Sequence, residues 1–100
     1  MLYNFDMLFI IKLLEKDEIL EEIEKLKSII SKKGELIKID LWGKKKLALE
    51  IGDCKYGFYG FINFNMDKYL ADELNKNLRS NTNILRHMLI KNGDCLDKDW

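Results

Sequence analysis

Three consecutive lysines, Lys44, Lys45 and Lys46, are the residues whose type and spacing most strongly suggest chemistry in this sequence. They follow a tryptophan–glycine pair and run directly into the apolar segment LALEI. Clustered ammonium groups bind the phosphates of a polyanion as point charges. The plainer interpretation is a solvated strand edge whose lysines discourage pairing with another strand. Contact with RNA is the sharper alternative, and the residues alone leave both open.

Arg86 and His87 form a second candidate pair, because they are adjacent in a segment that reads as a strand. Neighbouring strand residues point to opposite faces of a sheet, so these two side chains should not act together. Arg86 shares its face with Asp6, which suits either a weak surface ion pair or a contact to phosphate or base. His87 is expected to be structural. A partly exposed Trp42 suits a protein–protein surface.

Charge and composition restrict the function further. Seventeen basic residues balance seventeen acidic ones, although residues 34–91 hold ten basic against seven acidic. Any polyanion site should therefore be local and built from a few lysines and arginines. Glycine-rich phosphate loops, nucleophile–base pairs and metal-spaced ligands are missing from the sequence, which predicts no enzyme, cofactor or metal. Cys54 and Cys95 are expected to be reduced thiols.

Hydrophobic periodicity predicts six elements that would position these residues. Gly34 is the expected stop of the first helix and Asp17 its expected N-cap. Gly43 indicates a bulge or sharp bend in one long strand, with two separate strands as the alternative. The predicted strands are residues 3–14, 35–51, 56–64 and 84–91, and the predicted helices are residues 16–33 and 67–78. This order is that of an α+β, ferredoxin-like split β-α-β-β-α-β domain, a four-stranded antiparallel sheet with both helices on one face. Residues 1–91 would form it, and residues 92–100 a short polar tail.

The faces of the sheet follow from alternation along the strands. Met7, Phe9 and Ile11 should meet the helices, because the opposite choice would bury Asp6. By the same logic three residues of the third strand and two of the fourth point inward: Phe58, Ile62, Phe64, Leu85 and Leu89. The open face would display Leu8, Ile10, Tyr59, Phe61, Arg86, Met88 and Ile90. That face is apolar enough to predict a partner covering part of it.

The segment YGFINF raises a competing interpretation. The RNA-recognition motif shares this fold, and its main consensus places aromatic residues where Tyr59 and Phe61 stand. Alternation sends Phe9, the aromatic residue needed from the first strand, toward the helices, so the match is partial. A small regulatory domain that binds a metabolite would also share the fold, yet it would not need the lysine cluster.

Four segments together resemble one family. DLWGKKKLALEI, residues 40–51, is similar to the W-G-K/R-R-K-L-A-Y-x-I segment of the bacterial small-subunit ribosomal protein six (S-six) family. NILRHMLIK resembles the last strand of that family, YGFYGFINF its G-Y-Y strand, and NFDMLFII its first strand. The segments match in order over residues 3–91. Lys45 stands where the family favours arginine, Phe5 replaces a tyrosine and Leu49 another.

The resemblance implies a non-catalytic constituent of the small ribosomal subunit. It would bind the central domain of 16S-type ribosomal RNA together with the S-eighteen family protein, in a cytoplasmic or organellar ribosome. Trp42 is a candidate for the surface that meets the partner protein, and the positions that match the family carry the RNA role. RNA contacts fall on Lys44, Lys45, Lys46, Arg79, Arg86, Lys91 and Phe5. No membrane association is expected, because no apolar run approaches the ~20 residues of a span.

Overall fold

The computed structural model describes residues 2–92, and the predicted order of elements is confirmed in it. The predicted polar tail lies outside the described residues, apart from Asn92. The strands are β1 (Leu2–Lys12), β2 (Gly34–Ile51), β3 (Cys54–Asp67) and β4 (Ile84–Lys91), and the helices are α1 (Lys16–Lys33) and α2 (Lys68–Ser80).

The sheet has the strand order β2-β3-β1-β4, and all three pairings are antiparallel. This is the predicted ferredoxin-like arrangement, with β2 and β4 at the two edges. Four predicted contact residues on β2 and β4 therefore lie on edge strands, together with Lys91: Lys44, Lys45, Lys46 and Arg86. Within the described chain, no helix is long and apolar enough to cross a membrane.

The core forms between one face of the sheet and the two helices, as predicted. Met7, Phe9 and Ile11 are fully buried there. Helix residues at three- and four-residue spacing cover them, including Ile23, Leu26 and Ile30 of α1 and Ala71, Leu74 and Leu78 of α2. Fully buried side chains of this size each contribute about 1.5–3 kcal/mol of transfer free energy, so this layer dominates the stability of the fold.

The ends of α1 depart from prediction at one terminus and agree at the other. Glu15, and not Asp17, is the N-cap, because the Glu18 carboxylate accepts a hydrogen bond from the Glu15 backbone N–H at 3.3 Å. The Glu15 side chain lies in turn against the backbone of Glu18, and the pair forms a capping box. Gly34 ends the helix as predicted, but its φ of −158° is extended backbone. Glycine is required there because a Cβ would collide with the backbone carbonyl of Asn65.

Two irregularities set the pairing of the sheet near the candidate site. Gly43 has a φ of 87°, and the β2–β3 register shifts between Leu41 and Gly43, which confirms the predicted bulge within a single strand. A second shift falls in the β1–β4 pairing between Ile10 and Ile11. As a result Ile84 joins the core, while Leu85, predicted to point inward, is only half-buried.

Candidate nucleic-acid interface

The three lysines lie exposed along the edge strand β2, and we call them the lysine rim (Lys44, Lys45 and Lys46). Lys44 pairs with Phe58, Lys45 with Gly57 and Lys46 with Tyr56. Directly paired residues of antiparallel strands share a face. The rim therefore follows one edge but alternates between faces: Lys45 lies on the open face, and its two neighbours lie on the helix side. The Gly43 bulge precedes the rim, so it does not bring the three together.

Besides the pairing with β3, two side-chain contacts hold the rim and the segment that follows it against the sheet. The Lys44 ammonium lies 4.9 Å from the centre of the Tyr56 ring, within the range of a cation–π interaction. Leu47, 5% exposed, lies on the open face beside Gly57 and Ile10. It is the only buried residue of the segment LALEI, since Leu49 is 76% exposed. The attachment of this edge to the sheet through LALEI thus depends on Leu47.

Arg79 and Arg86 lie near the opposite edge of the sheet, around the start of β4. Arg86 pairs with Ile10 and is exposed on the open face, whereas Arg79 is in the last turn of α2. Both line one shallow groove together with Leu78, Ile84, Leu85 and His87. Among residues 2–92, no carboxylate lies within ion-pair distance of either guanidinium. Both are therefore open to an external anion.

The alternative ion pair between Arg86 and Asp6 does not form. Asp6 pairs with Ile90, which is four residues along β4 from Arg86, or about 13 Å at the rise of a strand. The Asp6 carboxylate instead accepts a hydrogen bond of 2.7 Å from the Asn63 amide.

His87 faces the helices, as predicted, and is part of the structure there. Its Nε2 lies 2.7 Å from Asn75 Oδ1, within hydrogen-bonding distance. Burial lowers the pKa of His87, and the positive charge of Arg79 lowers it further. The imidazole is consequently held neutral near neutral pH.

This environment predicts a pH dependence of folding. A histidine whose pKa is lower in the folded than in the unfolded state stabilises the fold fully above its unfolded pKa of about 6.5, and this stability is lost as pH falls through the folded pKa. Wild type should therefore lose stability below about pH 6.5 more steeply than His87→Gln, because the sequence has no other histidine. Urea unfolding between pH 7.5 and 5 measures the difference. Parallel pH profiles would contradict it.

The lysine rim, Arg79 and Arg86 all lie toward the end of the sheet where β1 finishes and β4 begins. Lys12 and Lys55 are also exposed at this end, close to the turn between β2 and β3. Sequence reasoning missed these two lysines. They are isolated in the sequence, and only the pairing of strands brings them near the rim.

Two predicted contact residues lie apart from this group. Lys91 is at the other end of β4, with its ammonium 4.3 Å from the centre of the Tyr3 ring. Phe5 is 5% exposed, and its ring stacks on Phe64 with centroids 5.6 Å apart. A base could stack on Phe5 only if that ring left the core.

The open face contains an apolar groove of about 290 Å³ between the two basic edges. Trp42, 49% exposed, lies along it with Tyr59, Leu8 and Met88, and Arg86 closes one side. This confirms the predicted exposure of Trp42 and the apolar character of this face. The groove offers aromatic and aliphatic contacts of the kind found at the centres of protein interfaces.

The far half of the same face is polar. Asn4, Asn63 and Asn65 form a network in which the Asn63 amide donates to Asn4 Oδ1 at 2.9 Å and the Asn4 amide donates to Asn65 Oδ1 at 2.8 Å. The Asn92 amide adds a second bond to Asn4 Oδ1 at 2.9 Å. We call these four residues the asparagine network. Its amides satisfy one another, so this half has little hydrogen-bonding capacity left for a ligand.

Fold and surface together define a ferredoxin-like domain with exposed cations at both edges of its sheet. Within the described part of the chain, no group of acidic, histidine or cysteine side chains could hold a metal ion. A family model described as Ribosomal protein S6 matches residues 4–91. The chain belongs to the ribosomal protein S6 family, and it is therefore a ribosomal protein and not an enzyme.

Relatives in the same family align over most of the chain. Small ribosomal subunit protein bS6 of Clostridioides difficile is 35% identical over 88 residues, covering 87% of this chain and 96% of its own. The bS6 protein of Desulforamulus reducens is 37% identical over 93 residues, with 91% and 98% covered. The crystal structure of 30S ribosomal protein S6 from Thermotoga maritima superposes with a TM-score of 0.86 at 26% identity, covering 97% of this chain and 94% of that one.

Proposed function

We propose that this protein is a constituent of the small ribosomal subunit that binds the central domain of 16S-type ribosomal RNA jointly with the S-eighteen family protein. One observation carries the proposal: exposed cations at both sheet edges flank an apolar groove on the open face between them. Such a surface offers charge to phosphates and apolar area to a protein at the same time. The match to the ribosomal protein S6 family supports it.

The cations divide by chemistry. Lys44, Lys45 and Lys46 supply point charges to phosphates, whereas the planar guanidinium of Arg86 can also orient a phosphate or base through two hydrogen bonds. Arg79 lines the same groove as Arg86 and adds a second positive charge there. Lys91 is a separate contact at the other end of β4. We leave Phe5 out of the proposed contacts because its ring is buried.

The groove would receive the partner protein, and Trp42 is its proposed anchor. Tryptophan is enriched among the residues that dominate binding energies at interfaces. Trp42 is half exposed and lines the groove together with Tyr59 and Met88, so a partner side chain that enters the groove can bury it. The complex would be located in the ribosome of the cytoplasm, or in that of an organelle.

Partner dependence tests the proposal. The net charge of this chain is zero, so the electrostatic attraction that drives autonomous binding to RNA is small. In filter binding at physiological salt, the protein alone should bind a fragment of the central domain weakly, and addition of the S-eighteen family protein should raise its affinity by at least about tenfold, or 1.4 kcal/mol. Trp42→Ala should remove most of that gain while leaving the weak binding in place.

Tight binding by the protein alone would contradict the proposal and favour the RNA-recognition-motif alternative. Tyr59 and Phe61 do lie on the open face, where that motif stacks bases, but Phe9 is 1% exposed on the helix side. The open face therefore lacks the ring that β1 would supply. In that case alanine at Tyr59 or Phe61 should cost roughly 1–3 kcal/mol per stacked base.

A further inference from the structure

Glu22 is a charged residue that the proposed interface does not explain. It lies on α1 and is 5% exposed, the one buried charged side chain within the described residues. Its Oε1 accepts a hydrogen bond of 3.0 Å from the Asn81 amide, and its Oε2 accepts one of 2.9 Å from the Asn83 amide. Lys25 lies 3.5 Å from Oε2. A buried carboxylate is costly unless it is paired and hydrogen-bonded, so this arrangement has a specific structural use.

The Glu22 carboxylate accepts hydrogen bonds from both ends of the loop between α2 and β4, residues 81–83. Asn81 Oδ1 accepts from the Asn83 backbone N–H at 2.9 Å, and the Asn81 carbonyl accepts from the Ile84 N–H at 3.1 Å. The Asn83 carbonyl accepts from the Lys12 N–H at 2.8 Å, which joins the loop to the end of β1. Glu22 thus connects α1 to a loop that already bridges α2, β1 and β4.

The same loop determines where the arginines point. It starts two residues after Arg79 and ends three before Arg86. The β1–β4 register shifts at this point, between Ile10 and Ile11. A displacement of one residue along a strand moves each side chain to the opposite face, so Arg86 would exchange places with His87. Correct placement of the loop is therefore needed for Arg86 to reach the open face.

We propose that Glu22 is a positioning residue for RNA binding: by holding Asn81 and Asn83, it fixes Arg79 and Arg86 in the arrangement that contacts ribosomal RNA. This inference rests on the proposed function. Burial alone would raise the pKa of Glu22, but hydrogen bonds from Asn83 and Asn81, together with Lys25, hold it below its usual value. The carboxylate is accordingly ionised and accepts both amides at neutral pH.

The test uses Glu22→Gln, which keeps the size of the side chain but turns one acceptor into a donor facing an asparagine amide. Glu24→Gln is the matched control, because it makes the same change at an exposed position of the same helix. The Glu24 carboxylate pairs with the Lys27 ammonium at 3.3 Å. Binding to the central-domain RNA fragment is measured with the S-eighteen family protein present, at a temperature where circular dichroism shows each variant folded. Glu22→Gln should weaken binding about three- to tenfold, and Glu24→Gln should not.

A double-mutant cycle separates positioning from general destabilisation. The loss caused by Glu22→Gln should vanish when Arg79 and Arg86 are already glutamine, but should add in full to the loss caused by replacing the lysine rim. Glu22→Gln combined with Asn83→Asp restores an acceptor opposite the new amide with the charge unchanged, and it should recover affinity.

Each outcome decides the inference. If folded Glu22→Gln binds as wild type does, or if its loss adds equally to the arginine and lysine variants, Glu22 only stabilises the fold and the inference is overturned. If Glu22→Gln does not fold, Asn83→Ala, which removes the amide that donates to Glu22 Oε2, takes its place in the same cycle with the same expected outcomes. Failure of the proposed function looks different, because wild type itself would then gain no RNA affinity from the partner protein.

Discussion

Replacing the lysine rim with three glutamines should lower affinity for the ribosomal RNA–partner complex and flatten its salt dependence. Each phosphate contact releases condensed counterions, so loss of three contacts should reduce the slope of log affinity against log salt by about two to three units. Thermal stability should hold, because all three side chains are exposed at an edge strand. Filter binding across a salt series measures the slope.

The control is a variant with the same change of charge on the helices. Lys32 and Lys76, together with Lys68, are exposed on the helices and not on the sheet, and glutamine at these three positions should leave the slope close to that of wild type. An unchanged slope in the rim variant would remove the rim from the RNA site and leave it as an edge that blocks strand pairing.

The alternation of the rim sharpens the same experiment. Because Lys45 lies on the open face and Lys44 and Lys46 on the helix side, one RNA strand that passes over a single face should depend on one set more than on the other. Comparison of Lys45→Gln with Lys44→Gln/Lys46→Gln shows which face meets the RNA. Equal loss per lysine would place the RNA against the edge itself.

The second large effect concerns stability. Phe9→Ala should lower the free energy of unfolding by about 3–5 kcal/mol, the usual cost of deleting a buried phenylalanine. Phe9 is 1% exposed, and its ring covers Gly60 on the helix side of the sheet, so the cavity left behind has no solvent to fill it. Urea unfolding of wild type and variant at pH 7 measures the difference.

Phe61→Ala is the matched control, because Phe61 is the neighbour of Gly60 and pairs with Leu8 on the open face. The two substitutions remove the same atoms from neighbouring strands, one on the helix side of the sheet and one on the open face. Phe61→Ala should cost much less than Phe9→Ala, since its ring is only half-buried. A cost as large as that of Phe9→Ala would mean that the open face is already covered in the free protein, for example by a second copy.

Sequence periodicity predicted most of this fold because the physical causes were local. Alternation with Asp6 on one side determined the inner face of β1, and Gly34 and Gly43 marked the helix end and the bulge. One error was a strand-pairing effect that no single segment contains, and the other was the choice between two nearby N-cap residues. The shift at Ile10 and Ile11 buried Ile84 in place of Leu85, and the N-cap of α1 is Glu15 instead of Asp17, although the helix bounds match those predicted.

The candidate site was less predictable for the same reason. The lysine rim and Arg86 were visible as residue types, but which face each occupies depends on register with another strand. Lys12 and Lys55 join the basic end only through β1–β3 and β2–β3 pairing. In the sequence, Glu22 cannot be distinguished from the other acidic residues of α1. Its hydrogen bond to Asn81, 59 residues later in the chain, depends on the tertiary fold.

The asparagine network would limit where a partner protein could bind on the open face. It occupies one half of the open face with amides already bonded to one another, while the other half is apolar. A partner segment placed farther along the strands toward Asn4 would lose its apolar contacts. To replace them, it would have to break hydrogen bonds between the asparagine side chains. In the proposed complex, the asparagine network would therefore limit how far the partner protein can lie along the strands in one direction, although no part of the partner would need to touch it.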